Sequence, residues 1–135
     1  MDKIEHIGIA VKSLKDAAPL YERLLGYKSY KKEEIASENV VTEFFKVGDS
    51  KIELLEASSV DSAINGFIER RGEGIHHIAF AVDDIVKEMA RLKSEGFQLL
   101  SDNPKRGADN KLVCFVHPKS SHGVLIELCQ EIKQS

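Results

Sequence analysis

The chain states one motif twice. Residues 6–14 read HIGIAVKSL and residues 77–85 read HIAFAVDDI. In both copies a histidine and an isoleucine are followed by a small residue, an apolar residue, Ala-Val, a polar pair, and then Leu14 or Ile85. Repetition at this length restricts the folds open to a chain, because each copy is one supersecondary unit that must bury its apolar face together with its partner. Helical spacing follows each copy. Leu14, Ala17, Ala18, Tyr21, Leu24 and Leu25 form one apolar face ending at Gly26, and Ile85, Met89 and Leu92 recur at i, i+4 and i+7 before Gly96. Ser13 and Asp16 have the spacing of a capping box, and Pro19 predicts a kink or a late helix start.

Each helix leads into a strand-like run, YKSYKKEE in the first half and FQLLS in the second. Each half then closes with a hairpin: VVTEFFKV turns at Gly48-Asp49-Ser50 into KIELLEA, and KLVCFVHP turns through KSSHG into VLIELCQ. The reading is an α+β fold of two tandem βαβββ modules, about residues 4–57 and 75–130, joined by a helix at about 59–71 with Ile64, Phe67 and Ile68 inward. Two such modules make a curved mixed sheet around a cleft, helices outside, with equivalent positions converging on it. At 135 residues the chain is a single domain. It buries roughly 70% of its unfolded surface, enough for a core without disulfide or metal staples.

Composition narrows the function classes. A net charge of −3 offers no footprint for nucleic acid, and no apolar run reaches the length of a membrane span. The N-terminal MDKIEHIGIAV lacks the pattern of an export signal, and Cys114 and Cys129 have no metal-ligand spacing, so reduced thiols and a cytoplasmic location are expected.

Two adjacent histidines, His76 and His77, open the second copy, and alternation sends them to opposite faces of a strand. His77 shares its face with Ala79 and Ala81, as His6 does with Gly8 and Ala10, while Ile7, Ile9 and Val11 or Ile78, Phe80 and Val82 take the other. Small neighbours leave room for a ligand, so His6 and His77 are the candidates, and His76 belongs with the bulky face or the strand end. The last strand of each module adds an acid in an apolar run, Glu53 in KIELLEA and Glu127 in VLIELCQ. A buried carboxylate is costly unless paired, protonated or metal-bound. A strand histidine is ordinarily a core or surface residue, and a strand glutamate ordinarily faces solvent. One of each per module, in matching places, instead suggests a four-ligand site for a divalent metal with positions open to water or substrate.

The segments HIGIAV, KIELLE, GIHHIAFAVDDI and FVHPKSSHGVLIELCQ, together with the two-module plan, resemble the methylmalonyl-CoA epimerase family of the vicinal oxygen chelate (glyoxalase-like) superfamily. The resemblance covers about residues 4–130. It implies that His6, His77 and Glu127 are metal ligands, with Glu53 at the fourth position, where some members carry glutamine. The metal implied is cobalt, with zinc, nickel, manganese and magnesium as other choices. The implied reaction is a 1,1-proton transfer at a carbon between a thioester carbonyl and a carboxylate, through a metal-stabilised enolate. Glu127 is the candidate acid–base on one face. Some members place the opposite glutamate in the strand after the first helix. Direct register puts Thr42 there and Glu43 one residue on, so either a bulge turns Glu43 inward or another group or a water serves.

A coenzyme A substrate brings phosphates, and Lys105, Arg106, Lys111 and Lys119 lie in loops flanking the last hairpin; Lys119, in the HPKS turn, and Arg106 are the candidates. The expected partners are thus a small-molecule CoA thioester and a second copy in a homodimer, with no nucleic acid and no membrane. Other readings of the scaffold are a glyoxalase-type isomerase, an extradiol dioxygenase with a two-histidine, one-carboxylate iron site, or a ligand-binding protein without enzymatic activity. Activity with Fe(II) and oxygen separates the dioxygenase. A binder would dispense with the metal set that this chain keeps.

Overall fold

The computed structural model describes residues 1–133. The strands are β1 (Lys3–Ala10), β2 (Lys31–Ile35), β3 (Val40–Val47), β4 (Ser50–Ala57), β5 (Gly74–Ala81), β6 (Lys105–Arg106), β7 (Lys111–Val116) and β8 (Ile126–Glu131). The helices are α1 (Leu14–Leu25), α2 (Ala63–Arg71) and α3 (Ile85–Ser94). The chain divides into two compact units: His6–His76, and Met1–Glu5 together with the chain from His77 onward. The N-terminal residues join the second unit through a hydrogen bond from the Asp2 N–H to the Ala81 carbonyl.

In the first unit the strands pair in the order β2-β3-β4-β1, with β1 and β4 parallel and the others antiparallel. One face carries Phe45 and Leu54, which pack with Val11, Leu14 and Ala18 against α1. The opposite face carries Ala10, Val40 and Leu55, covered in part by Ile64, Phe67 and Ile68 of α2. The second unit repeats the plan as β5-β8-β7-β6, with β5 and β8 parallel. There Ile85, Met89 and Leu92 of α3 pack on Val82, Cys114, Val116 and Leu128, while Ala79, Val113 and Cys129 make a smaller cluster with Phe115.

Several local expectations are corrected. Helix α1 starts at Leu14 and runs through Pro19, and Ser13 makes no side-chain cap. Its first N–H is met elsewhere: that of Leu14 donates to Glu56 Oε1 at 2.6 Å, a carboxylate from β4. The second module repeats the device, with the Ile85 N–H donating to Gln130 Oε1 of β8 at 2.8 Å. A capping box between Ser13 and Asp16 is therefore not what begins this helix. Leu24 is 69% exposed, off the buried stripe of Leu14 and Ala18. The run FQLLS is not a strand. Leu99 makes a single bridge to Val116, and the short strand β6 takes the edge position instead, because its two residues pair with Val113 and Leu112.

Candidate active site

The two modules present their candidate ligands in one register. In the first, Glu53 of β4 stands opposite Gly8 of β1, two residues beyond His6. In the second, Glu127 of β8 stands opposite Ala79 of β5, two residues beyond His77. Since residues two apart on a strand share a face, each glutamate reaches across the small residue toward the histidine. The contacts follow: His6 Nδ1 lies 3.0 Å from Glu53 Oε2, and His77 Nε2 lies 3.3 Å from Glu127 Oε1. All four side chains are buried.

A buried imidazole and carboxylate at these distances need a positive charge between or beside them, because removing both from water is costly. A proton meets that need, and so does a divalent cation. Imidazole nitrogen with carboxylate oxygen is a donor set that suits divalent transition metals, so each pair carries possible ligand groups. An aromatic residue flanks each pair. Phe44 is the cross-strand partner of Glu53 and Phe115 that of Glu127, and the Phe115 ring meets His77 edge-on with centroids 6.0 Å apart. In the second module the Cys129 thiol also donates to Glu127 Oε2 at 2.6 Å, fixing the second carboxylate oxygen. Sequence alone does not mark Phe44 and Phe115, whose matching places in the strands before the two glutamates are the available signal, and Cys129 has Leu55 in the equivalent place of the first module.

His76 stands apart from these groups. Its ring meets Phe67 of α2 edge-on at 5.0 Å. Burial, with a smaller contribution from the Arg70 charge, lowers its pKa from 6.5 to about 4, so it is neutral near pH 7.

Glu43 requires a correction. The β3–β4 register runs from Val40↔Ala57 to Val47↔Ser50 without a bulge. Glu43 therefore pairs with Leu54 on the α1 side, away from the face of Glu53, and accepts a hydrogen bond from Ser29 Oγ at 2.6 Å. The bulge that would turn its side chain toward Glu53 is not there. Thr42, at the position the register assigned, is buried on the Glu53 side.

Of the basic residues, Arg106 lies exposed on β6 and Lys119 exposed in the turn between β7 and β8. That turn is built rather than loose: His117 Nδ1 accepts from the Lys119 N–H at 3.0 Å, and Ser120 Oγ accepts from the Gln98 N–H at 2.9 Å. His117 thus holds the backbone of this turn.

A family model for the glyoxalase/bleomycin resistance protein/dioxygenase superfamily matches residues 5–115, and the chain belongs to that superfamily. Within it, the chain is 39% identical over 130 residues to the ethylmalonyl-CoA/methylmalonyl-CoA epimerase of Cereibacter sphaeroides, covering 95% of this chain and 97% of that protein. It is 37% identical over 131 residues to the mitochondrial methylmalonyl-CoA epimerase of Homo sapiens, covering 96% of this chain and 74% of that protein. Its fold is similar to a Streptomyces coelicolor methylmalonyl-CoA epimerase variant in complex with 2-nitronate-propionyl-CoA, with a TM-score of 0.94, 34% identity, and coverage of 97% of this chain and 95% of that one. The fold is the glyoxalase fold.

Proposed function

We propose that the protein is an isomerase that interconverts (R)- and (S)-methylmalonyl-CoA by moving the α-proton. The observation that carries the reading is the pair of buried histidine–glutamate contacts, His6 with Glu53 and His77 with Glu127, in matching register. The relatives at 37% and 39% identity, matched over nearly all of this chain, support the substrate class.

The ligands we propose for a divalent metal ion are His6 with Glu53 and His77 with Glu127, and cobalt is our choice of metal. When bound, such an ion supplies a positive charge that lowers the cost of negative charge on the thioester oxygen. The protein's own groups do the rest. Phe44 and Phe115 flank the glutamates and keep water from them, which strengthens the interactions with the developing charge. Glu127 carries the proton for one epimer, its orientation held by the Cys129 thiol. Lys119 and Arg106 take the phosphates of coenzyme A, and the enzyme works as a cytoplasmic homodimer.

The deciding experiment is solvent deuterium wash-in at the α-carbon of methylmalonyl-CoA, with metal-loaded and chelator-treated protein. Rapid exchange that chelation abolishes and metal restores is expected. No exchange with any divalent metal would sink the reading.

A further inference from the structure

Resting on the metal-dependent epimerase reading, we propose that Cys129 is a further metal ligand, which joins His77 and Glu127 around a thiophilic divalent ion such as cadmium and so makes that ion an inhibitor. Cys129 lies two residues beyond Glu127, in the place that the first module gives to Leu55, two residues beyond Glu53. The second module thus adds sulfur to nitrogen and oxygen, where the first has a hydrocarbon side chain.

The strand register builds this set within one compact unit. Glu127 and Cys129 share a face of β8, since residues two apart on a strand do. They stand opposite Ala79 and Ala81 of β5, two and four residues beyond His77 on the same face. The alanines are small, so the three longer side chains meet over them. Cys129 Sγ lies 2.6 Å from Glu127 Oε2, and His77 Nε2 lies 3.3 Å from Oε1 of the same carboxylate. Donor atoms that share one ion at bond lengths of about 2.0–2.3 Å lie about 3–4 Å apart, so small side-chain rotations gather sulfur, oxygen and nitrogen around it. All three residues are buried, and the Phe115 ring closes edge-on against His77. A carboxylate oxygen of Glu5, buried in the same unit, lies within 4.8 Å of the Cys129 sulfur and adds negative charge that a divalent ion offsets.

Softness decides which ion takes the sulfur. An ion satisfied by imidazole nitrogen and carboxylate oxygen leaves the thiol its proton, and the S–H goes on donating to Glu127. With a soft ion the S–H bond breaks as the sulfur–metal bond forms, the proton passes to water, and no electron changes hands. Two costs to catalysis follow. The thiolate's charge makes the ion a poorer partner for negative charge on the thioester oxygen. The sulfur also fills a coordination position that water or substrate would take.

The test is titration of the metal-free protein with cadmium, without substrate, followed through the ultraviolet thiolate-to-cadmium charge-transfer band. Wild type and Cys114→Ser should develop the band and saturate at a single ion per chain, while Cys129→Ser and Cys129→Ala should not develop it. His77→Ala should bind cadmium about tenfold more weakly or worse, the least that removing a ligand costs. In the cobalt-loaded enzyme cadmium should abolish deuterium wash-in, and chelation followed by fresh cobalt should restore it. Cys129→Ser should need about tenfold more cadmium, or more, for the same loss. No band in the wild type would overturn the proposal. So would a band that Cys114→Ser removes or Cys129→Ser keeps, and so would unchanged cadmium affinity in His77→Ala, the mark of a thiol acting alone. A wild type that shows the band with cadmium, yet exchanges no α-proton with cobalt, would overturn the epimerase reading and leave the ligand assignment standing.

Discussion

His76 and His77 are neighbours in sequence and opposites in chemistry. His77 is buried against a carboxylate; His76 is packed edge-on against an aromatic ring and held neutral. Metal analysis of His6→Ala and His77→Ala should find the ion lost, while His76→Phe should keep it. The reverse pattern for the neighbouring pair would mean that the wrong histidine was assigned. His76 has its own signature in stability. Its folded pKa of about 4 lies below its unfolded value of 6.5, so between these values the unfolded chain binds more protons. The contribution is therefore complete above about pH 6.5 and is lost as pH falls toward about 4. For a partly buried group this amounts to about 2 kcal/mol. Urea unfolding of metal-free wild type and His76→Phe at pH 7 and pH 4.5 isolates it, since shared contributions cancel. The variant should lose less stability on acidification than the wild type.

At the scale of elements, the start of α1 is met from outside the helix, while α3 has both an outside acceptor and its own N-cap, the Asp84 side chain, which accepts from the Lys87 N–H at 3.1 Å. The Glu56 carboxylate and the Gln130 amide oxygen each accept from the first N–H of a helix, one of the N–H groups that no carbonyl within the helix satisfies. Glu56 adds negative charge at the positive end of the helix dipole. Glu56→Ala should therefore cost about 1–2 kcal/mol in denaturant unfolding and Gln130→Ala about 1 kcal/mol. Ser13→Ala should stay within about 0.5 kcal/mol, because Ser13 makes no side-chain cap. A larger loss from Ser13→Ala than from Glu56→Ala would contradict this account of how α1 begins.

At the scale of the whole molecule, the described residues contain no helix long and apolar enough to cross a membrane, and both cysteines are buried and form no disulfide. Burial pushes the Cys114 thiol up, with weaker opposing effects from Ser101, Lys93 and Lys105, so in the folded protein it should react slowly with disulfide reagents. Thiol titration should count two free groups per chain after denaturation without reductant, and far fewer at early times in the native protein. Recovery of none after denaturation would point to an oxidised pair and an oxidising compartment.

The repeat made much of this molecule legible in its sequence. Two copies of one pattern marked β1 with α1 and β5 with α3, and alternation within each copy separated His77 from His76, because strand side chains must change face at every residue. The same rule placed Glu43 opposite Thr42, and the unbulged register of β3 with β4 kept it there. What sequence could not supply were contacts between residues far apart in the chain. FQLLS had the composition of a strand, yet β6 took the edge, since pairing with β7 rather than propensity decides which segment joins a sheet. Ser13 and Asp16 had the spacing of a cap, yet a carboxylate 42 residues downstream of Leu14 supplied it. Cys129 looked like a reduced thiol in an apolar strand. Only the pairing of β8 with β5 put it on the face of His77, because register is a property of two strands together and is written in neither alone.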